Sequence, residues 1–178
     1  DQRLTAYRLA SGTKVWSQPI EDPTYVQLAF SHDGTWLASG GRDKTLHLRR
    51  AETGISIDRY KLGGWAEDIA FSTDDATIAV ATDVRSMTWD LVNRDLSKPR
   101  QLDIGRTTSV AFSADNRLVA FGCDDRTVRL LDRETFLVQS VLPQPSYVHD
   151  IAFHPNSLEL AVATFEDGIQ IWDDDAWT

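Results

Sequence analysis

The chain is poor in cysteine, in basic residues and in long apolar runs, and each shortage closes off a class of protein. Cys123 is the only cysteine, so no disulfide forms within the chain and nothing points to a cross-linked secreted scaffold. Lys and Arg number 18 against 27 Asp and Glu, a formal charge of −9 and an isoelectric point near 4.8. No stripe of basic residues interleaves with aromatics, which argues against nucleic acid as a partner and against anionic membrane surfaces. No stretch reaches the ~18 apolar residues of a spanning helix. The expectation is a cytoplasmic chain.

Catalytic and metal constellations are equally scarce. The histidines are His32, His47, His149 and His154; none stands at helical spacing from another, and Cys123 has no cysteine partner, so no zinc site is expected. No Gly-x-Ser-x-Gly elbow activates a serine. Gly40-Gly41 is too short to cradle phosphate, and no phosphate-loop lysine follows. The pairs Asp74-Asp75 and Asp124-Asp125 read as turn residues rather than an acid–base couple. Neither an enzyme nor a cofactor is expected. Sustained 3.6-residue periodicity is also missing, so helix content should be near nil.

What the chain has is a repeat. Ala-Phe recurs at Ala29-Phe30, Ala70-Phe71, Ala111-Phe112 and Ala152-Phe153, an interval of 41 residues each time. A fixed period of this size marks one supersecondary unit, copied and stacked, because such a unit cannot bury its apolar face alone. In the third copy Val110–Phe112, Arg117–Gly122, Thr127–Asp132 and Phe136–Val141 are short, branched and aromatic runs separated by Ser113–Asn116, Asp124–Arg126 and Arg133–Thr135. They predict four antiparallel strands joined by tight turns. The third strands are expected in phase at Thr45, Ser86, Thr127 and Gly168. Alanine lets the innermost strands crowd a shared axis, while the adjacent Phe, on the other face of the pleat, wedges against a neighbouring sheet.

Dividing the chain on this period gives 1–20 as outer strands of an incomplete unit, then units at 21–62, 63–104 and 105–144, and 145–178 as a last unit short of its outer strand. The expected arrangement is a slice of a larger ring rather than a small closed one. Asp173-Asp174-Asp175 reads as a solvated turn, and Asn93–Pro99 as a lengthened loop between the third and fourth strands of the second copy.

Ala29 through Gly40, Thr127 through Asp132, and the dipeptides Trp89-Asp90 and Trp172-Asp173 resemble the WD-repeat (Trp-Asp repeat) family. A weaker likeness, Leu4 through Trp16, is to quinoprotein-like propellers. The WD resemblance implies an all-β chain: a β-propeller of four-stranded antiparallel blades, with about four blades present. It also implies a rigid platform for protein partners, often within signalling assemblies. The family's Gly-His before the innermost strand is absent. Its hydrogen-bonded tetrad survives only as the turn acids Asp43, Asp125 and Glu166, with Ser39, and the Trp position holds Tyr7, Arg49, Trp89, Leu131 and Trp172. Apolar stacking between blades must therefore carry most of the stability.

Carried over position by position, the resemblance places a protein-binding rim at Trp65, Arg106 and Tyr147 before the innermost strands. It adds Glu67 and His149 two residues on, and Arg42, Asp124 and Phe165 beside the turn acids. The expected function is a non-catalytic interaction scaffold. Its partners would be other proteins, the remaining blades of a ring or a second copy. The alternatives are a ligand-binding or enzymatic propeller using the channel mouth, and a self-assembling half-ring.

Overall fold

In the computed structural model, which describes residues 3–20, 26–91 and 96–173, every regular element is a strand. β1 (Arg3–Tyr7) and β2 (Lys14–Pro19) form a two-stranded sheet. Sheet I follows with β3 (Val26–Phe30), β4 (Trp36–Gly41), β5 (Thr45–Arg50) and β6 (Ser56–Lys61). Sheet II contains β7 (Ala66–Phe71), β8 (Thr77–Thr82), β9 (Met87–Asp90) and β10 (Arg100–Gln101). Sheet III contains β11 (Thr107–Phe112), β12 (Leu118–Cys123), β13 (Thr127–Asp132) and β14 (Val138–Pro143). Sheet IV contains β15 (Val148–Phe153), β16 (Leu160–Thr164) and β17 (Gly168–Trp172). Each is an antiparallel meander ordered as in the chain.

The first turn of sheets I to III is built three times from the same chemistry. Ser31, Ser72 and Ser113 donate through Oγ to Asp33, Asp74 and Asp115 at 2.6–2.7 Å. The same hydroxyls accept the N–H of Trp36, Thr77 and Leu118 at 2.8–2.9 Å. The fourth turn residue, Gly34, Asp75 or Asn116, takes a positive φ of 70°, 56° or 61°, which Gly, Asn and Asp tolerate best.

The core lies between sheets, not within them. Ala38, Leu46 and Leu48 of sheet I bury against Ile69, Phe71, Val80 and Trp89 of sheet II. Ala79 and Ala81 of sheet II meet Val110, Phe112, Phe121 and Leu131 of sheet III, and Val128, Leu130 and Leu142 meet Ile151, Leu160 and Val162 of sheet IV. Phe71 and Phe112 wedge against the preceding sheet, while Ala29, Ala70 and Ala111 lie against the following one. Gly122 permits close approach of sheets III and IV, since a Cβ there would strike Ser109 Oγ and Val148 Cγ1. With β3, β7, β11 and β15 side by side, the sheets fan out as blades of a β-propeller.

The arc is open. β1 pairs with β2 and β17 with β16, and among the described residues no apolar layer joins sheet IV to β1–β6. Instead, β2 sits over the β5–β6 turn: Trp16 Nε1 donates to the Ala51 carbonyl at 2.8 Å and Gln18 Nε2 to the Thr53 carbonyl at 3.1 Å.

Two details depart from the sequence reading. Ser39 pairs with His47, Phe121 with Arg129 and Val162 with Gln170, but Val80 pairs with Met87. Sheet II thus has one residue fewer between its second and third strands, and the counterpart of Thr45, Thr127 and Gly168 is Arg85, not Ser86. Lys44 and Arg126 occupy the left-handed turn position at φ 58° and 63°; sheet II dispenses with it because Thr82 Oγ1 caps the Val84 and Arg85 N–H groups at 3.3 and 2.8 Å. β14 begins at Val138 rather than Phe136, which has φ 56° and finishes the turn by donating its N–H to the Asp132 carbonyl. Of the Asn93–Pro99 loop, residues 93–95 lie outside the described residues, as do Asp174 and Asp175.

At the rim formed by the first turns, polar groups tie one blade to the next. Asp75 accepts the N–H groups of His32 and Asp33 at 2.7 and 2.8 Å, Asn116 accepts that of Thr73 at 2.9 Å, and Arg133 pairs with Asp74 at 2.8 Å. Asp75→Gly keeps the turn angle and removes only the bridge. It should cost about 1–2 kcal/mol, read as a lower urea midpoint. An unchanged midpoint would show the bridge to be idle.

Candidate functional site

The opposite rim, called here the upper rim, gathers the segments entering each innermost strand and the turns between second and third strands. A repeated main-chain bond clips them together. Asp83 N–H donates to the Trp65 carbonyl at 3.4 Å, Asp124 N–H to that of Arg106 at 3.1 Å, and Phe165 N–H to that of Tyr147 at 3.0 Å. The backbone is fixed in each clip, and the side chains of Arg106, Asp124, Tyr147 and Phe165 are exposed.

Seven of the eight expected site residues fall into neighbouring groups. The Arg42 guanidinium stacks 4.6 Å from the centroid of the Trp65 ring, a cation–π contact that joins sheet I to sheet II. Arg106 and Asp124 lie 3.5 Å apart, both well exposed, so their attraction is weak. His149 and Phe165 meet at 5.4 Å between ring centroids. Tyr147 is 55% exposed and Phe165 74%. A cleft of about 530 Å³ between sheets III and IV is lined by Asp124, Asp125, Ser146, Tyr147 and Glu166. Glu67 lies half-buried one residue into β7. Tyr147 is therefore a rim residue, whereas Trp65, 36% exposed, also packs across the junction of sheets I and II against Arg42.

Asp83 was missed by the sequence reading. It stands 41 residues from Arg42 and from Asp124, so the period alone would have located it. It closes the sheet II clip twice, its Oδ1 also accepting the Trp65 N–H at 2.6 Å.

Neighbouring ionisable groups are structural. Asp125 is held below the ordinary carboxylate range by the Arg129 guanidinium, at 2.6 Å, with the Thr127 hydroxyl adding to the effect. Burial pushes the Cys123 thiol up, away from a nucleophilic thiolate. The upper rim thus offers exposed aromatics, guanidinium groups and carboxylates on a rigid frame. Of these, the aromatic and arginine side chains are enriched in contact surfaces of proteins.

Comparison with known proteins agrees with this architecture. The family model for the WD domain, G-beta repeat, matches residues 20–49 and 104–132. A WD repeat-containing protein of Synechocystis sp. is 30% identical over 122 residues, covering 65% of this chain and 34% of the relative. The target of rapamycin complex subunit wat1 of Schizosaccharomyces pombe is 28% identical over 141 residues, 77% of this chain and 45% of the relative. Human pre-mRNA-processing factor 17 is 22% identical over 152 residues, 82% and 26% respectively. The chain therefore spans less than half the length of these relatives. Open fans of four-stranded meanders define a propeller-blade protein, and its repeats at 20–49 and 104–132 match the WD-repeat family.

Proposed function

We propose that this chain is a non-catalytic protein-interaction scaffold whose upper rim binds a protein partner. The observation that carries the reading is the contrast between rims. One spends its polar groups on bridges between blades, while the other holds Trp65, Tyr147 and Phe165 exposed on clipped backbone. Exposed Trp, Tyr and Arg dominate interface energetics, with losses of about 2 kcal/mol or more when a hot-spot residue is truncated. Relatives named as a complex subunit and a processing factor support a scaffold in general terms. A role within a cytoplasmic signalling or assembly protein belongs to the same proposal.

The test combines Trp65→Ala, Arg106→Ala and Tyr147→Ala. Partner capture should be lost while the circular-dichroism spectrum stays unchanged. A photo-crosslinker at Phe165 should label a discrete partner, and the same probe at Glu134, on the other rim, should not. Binding that survives the triple change would move the surface elsewhere.

A further inference from the structure

The cleft of about 530 Å³ on the upper rim lies between two adjacent blades, with β11 beside β15. Asp124, Asp125 and Arg126 of the β12–β13 turn form one side, and Ser146 and Tyr147 before β15 line it with Glu166 of the β16–β17 turn. Three carboxylates against one guanidinium make the lining net negative. Asp125 is engaged by Arg129 at 2.6 Å. The Asp124 carboxylate has Arg106 beside it at 3.5 Å, too far for a good hydrogen bond. Among the described residues, the Glu166 carboxylate and Arg126 form no ion pair. The Ser146 hydroxyl is 4% exposed and accepts the Glu166 N–H at 3.1 Å, which fixes that turn to the entry of β15.

Another junction of the same fan shows what this place accepts. Trp65 and Tyr147 stand 82 residues apart, two full periods, and each carbonyl accepts the same main-chain clip before its innermost strand. Arg42 and Asp124 are also 82 apart, in turns of matching register, Ser39 with His47 and Phe121 with Arg129. At the junction of sheets I and II the Arg42 guanidinium stacks 4.6 Å from the Trp65 ring centroid. At the junction of sheets III and IV the aromatic is kept, but the arginine position holds an acid. Tyr147 is accordingly left 55% exposed, against 36% for Trp65. Between sheets II and III the aromatic position itself holds Arg106. The cleft thus pairs an uncovered ring with unspent negative charge, and the chain supplies no cation to cover it.

Taking the upper rim as the partner surface, on which this rests, we propose that the cleft receives an arginine side chain of a protein partner. The guanidinium stacks on the Tyr147 ring and donates to the carboxylates of Asp124 and Glu166. A planar guanidinium serves both contacts at once, since its face meets the ring and its edge carries the donors. Lysine fits less well, because an ammonium is a point charge without a stacking face. The formal charge of −9 favours the approach of a basic segment.

The probe is the blocked peptide Gly-Ser-Arg-Ser-Gly, compared with twins carrying citrulline or lysine and titrated into the isotopically labelled chain with amide NMR shifts as readout. The arginine peptide should bind about tenfold more tightly than the citrulline twin, with shifts centred on Ser146, Tyr147 and Glu166. Glu166→Gln should erase most of that preference, and Tyr147→Leu should bring arginine and lysine level. Equal binding of the arginine and citrulline peptides, or no binding by either, overturns the proposal. A preference that survives Glu166→Gln, or shifts spread over the whole surface, also overturns it, since either marks diffuse attraction to an acidic protein. Free arginine binding more tightly than the peptide overturns the protein partner. The Phe165 crosslinker separates this site from the rim as a whole. A labelled partner with no arginine preference overturns the arginine alone, whereas no labelled partner and no preference overturn both.

Discussion

Trp89→Ala should lower the unfolding free energy by about 3–5 kcal/mol, seen as a fall in urea midpoint at constant slope. Trp89 is 1% exposed and fills the layer between sheets I and II. Its ring meets Tyr60 edge-on at 5.5 Å, and its Nε1 donates to the Leu96 carbonyl at 2.9 Å. Truncation leaves a large cavity and a carbonyl without its donor. Against a typical total of about 5–15 kcal/mol, little reserve would remain. Trp89→Phe separates the two losses, because it keeps most of the volume and orphans only the carbonyl, at about 1–2 kcal/mol. Trp172 holds the same register position in sheet IV but is only half-buried, and its Nε1 has no partner among the described residues. Trp172→Ala should therefore lose less than half as much. Equal losses at both positions would contradict a core made of layers between blades.

That core shows which parts of the structure were legible beforehand. The 41-residue return of Ala-Phe announces both the number of units and the face each residue takes, because the pleat puts neighbours on opposite sides. Ser31, Ser72 and Ser113 with their acids likewise spell out the first turns. The single-residue shortening before β9 was hidden, since Thr82 could replace a left-handed turn residue without changing the apolar pattern. Arg49 shows the harder limit. Its place in the register was readable, but its burial beside Ser39 depends on how β2 and sheet I sit together. The upper rim was largely legible because rim positions repeat with the same period. Only Asp83 escaped, as an acid in a turn where acids are unremarkable. Contacts across blades were the least visible: nothing local marks Asp68 as a bond to a strand 42 residues away.

Asp68→Asn should flatten the dependence of stability on pH. Asp68 Oδ2 accepts the Val110 N–H of β11 at 2.9 Å and its Oδ1 the Ile69 N–H at 2.8 Å, tying one innermost strand to the next. Burial pushes its pKa up to about 6, and the like charge of Asp150 adds to this against the two N–H bonds. A carboxyl whose pKa is higher folded than unfolded is protonated more readily in the native state. Its contribution is complete below the ordinary carboxylate range and is lost as pH rises through about 6, a swing of at most ~3 kcal/mol. Asp125, held down by Arg129, behaves oppositely: its contribution is present above the ordinary range and is lost as pH falls below it. The two windows lie on either side of about pH 4. Asparagine can keep the bond to Val110 through its amide oxygen and has no charge to desolvate. At about pH 7.5 the variant should exceed the parent by about 1–3 kcal/mol, and at about pH 4.5 it should not. Asp68→Ser provides the counter-test. Ser109, at the same place in sheet III, is too short to bridge, and its Oγ is buried without a partner among the described residues. The serine variant should therefore be weaker than the parent at about pH 4.5, where the carboxyl is protonated. If the slope between about pH 4.5 and 7.5 persists in Asp68→Asn, a different group sets it and the strand-to-strand tie contributes no pH sensitivity.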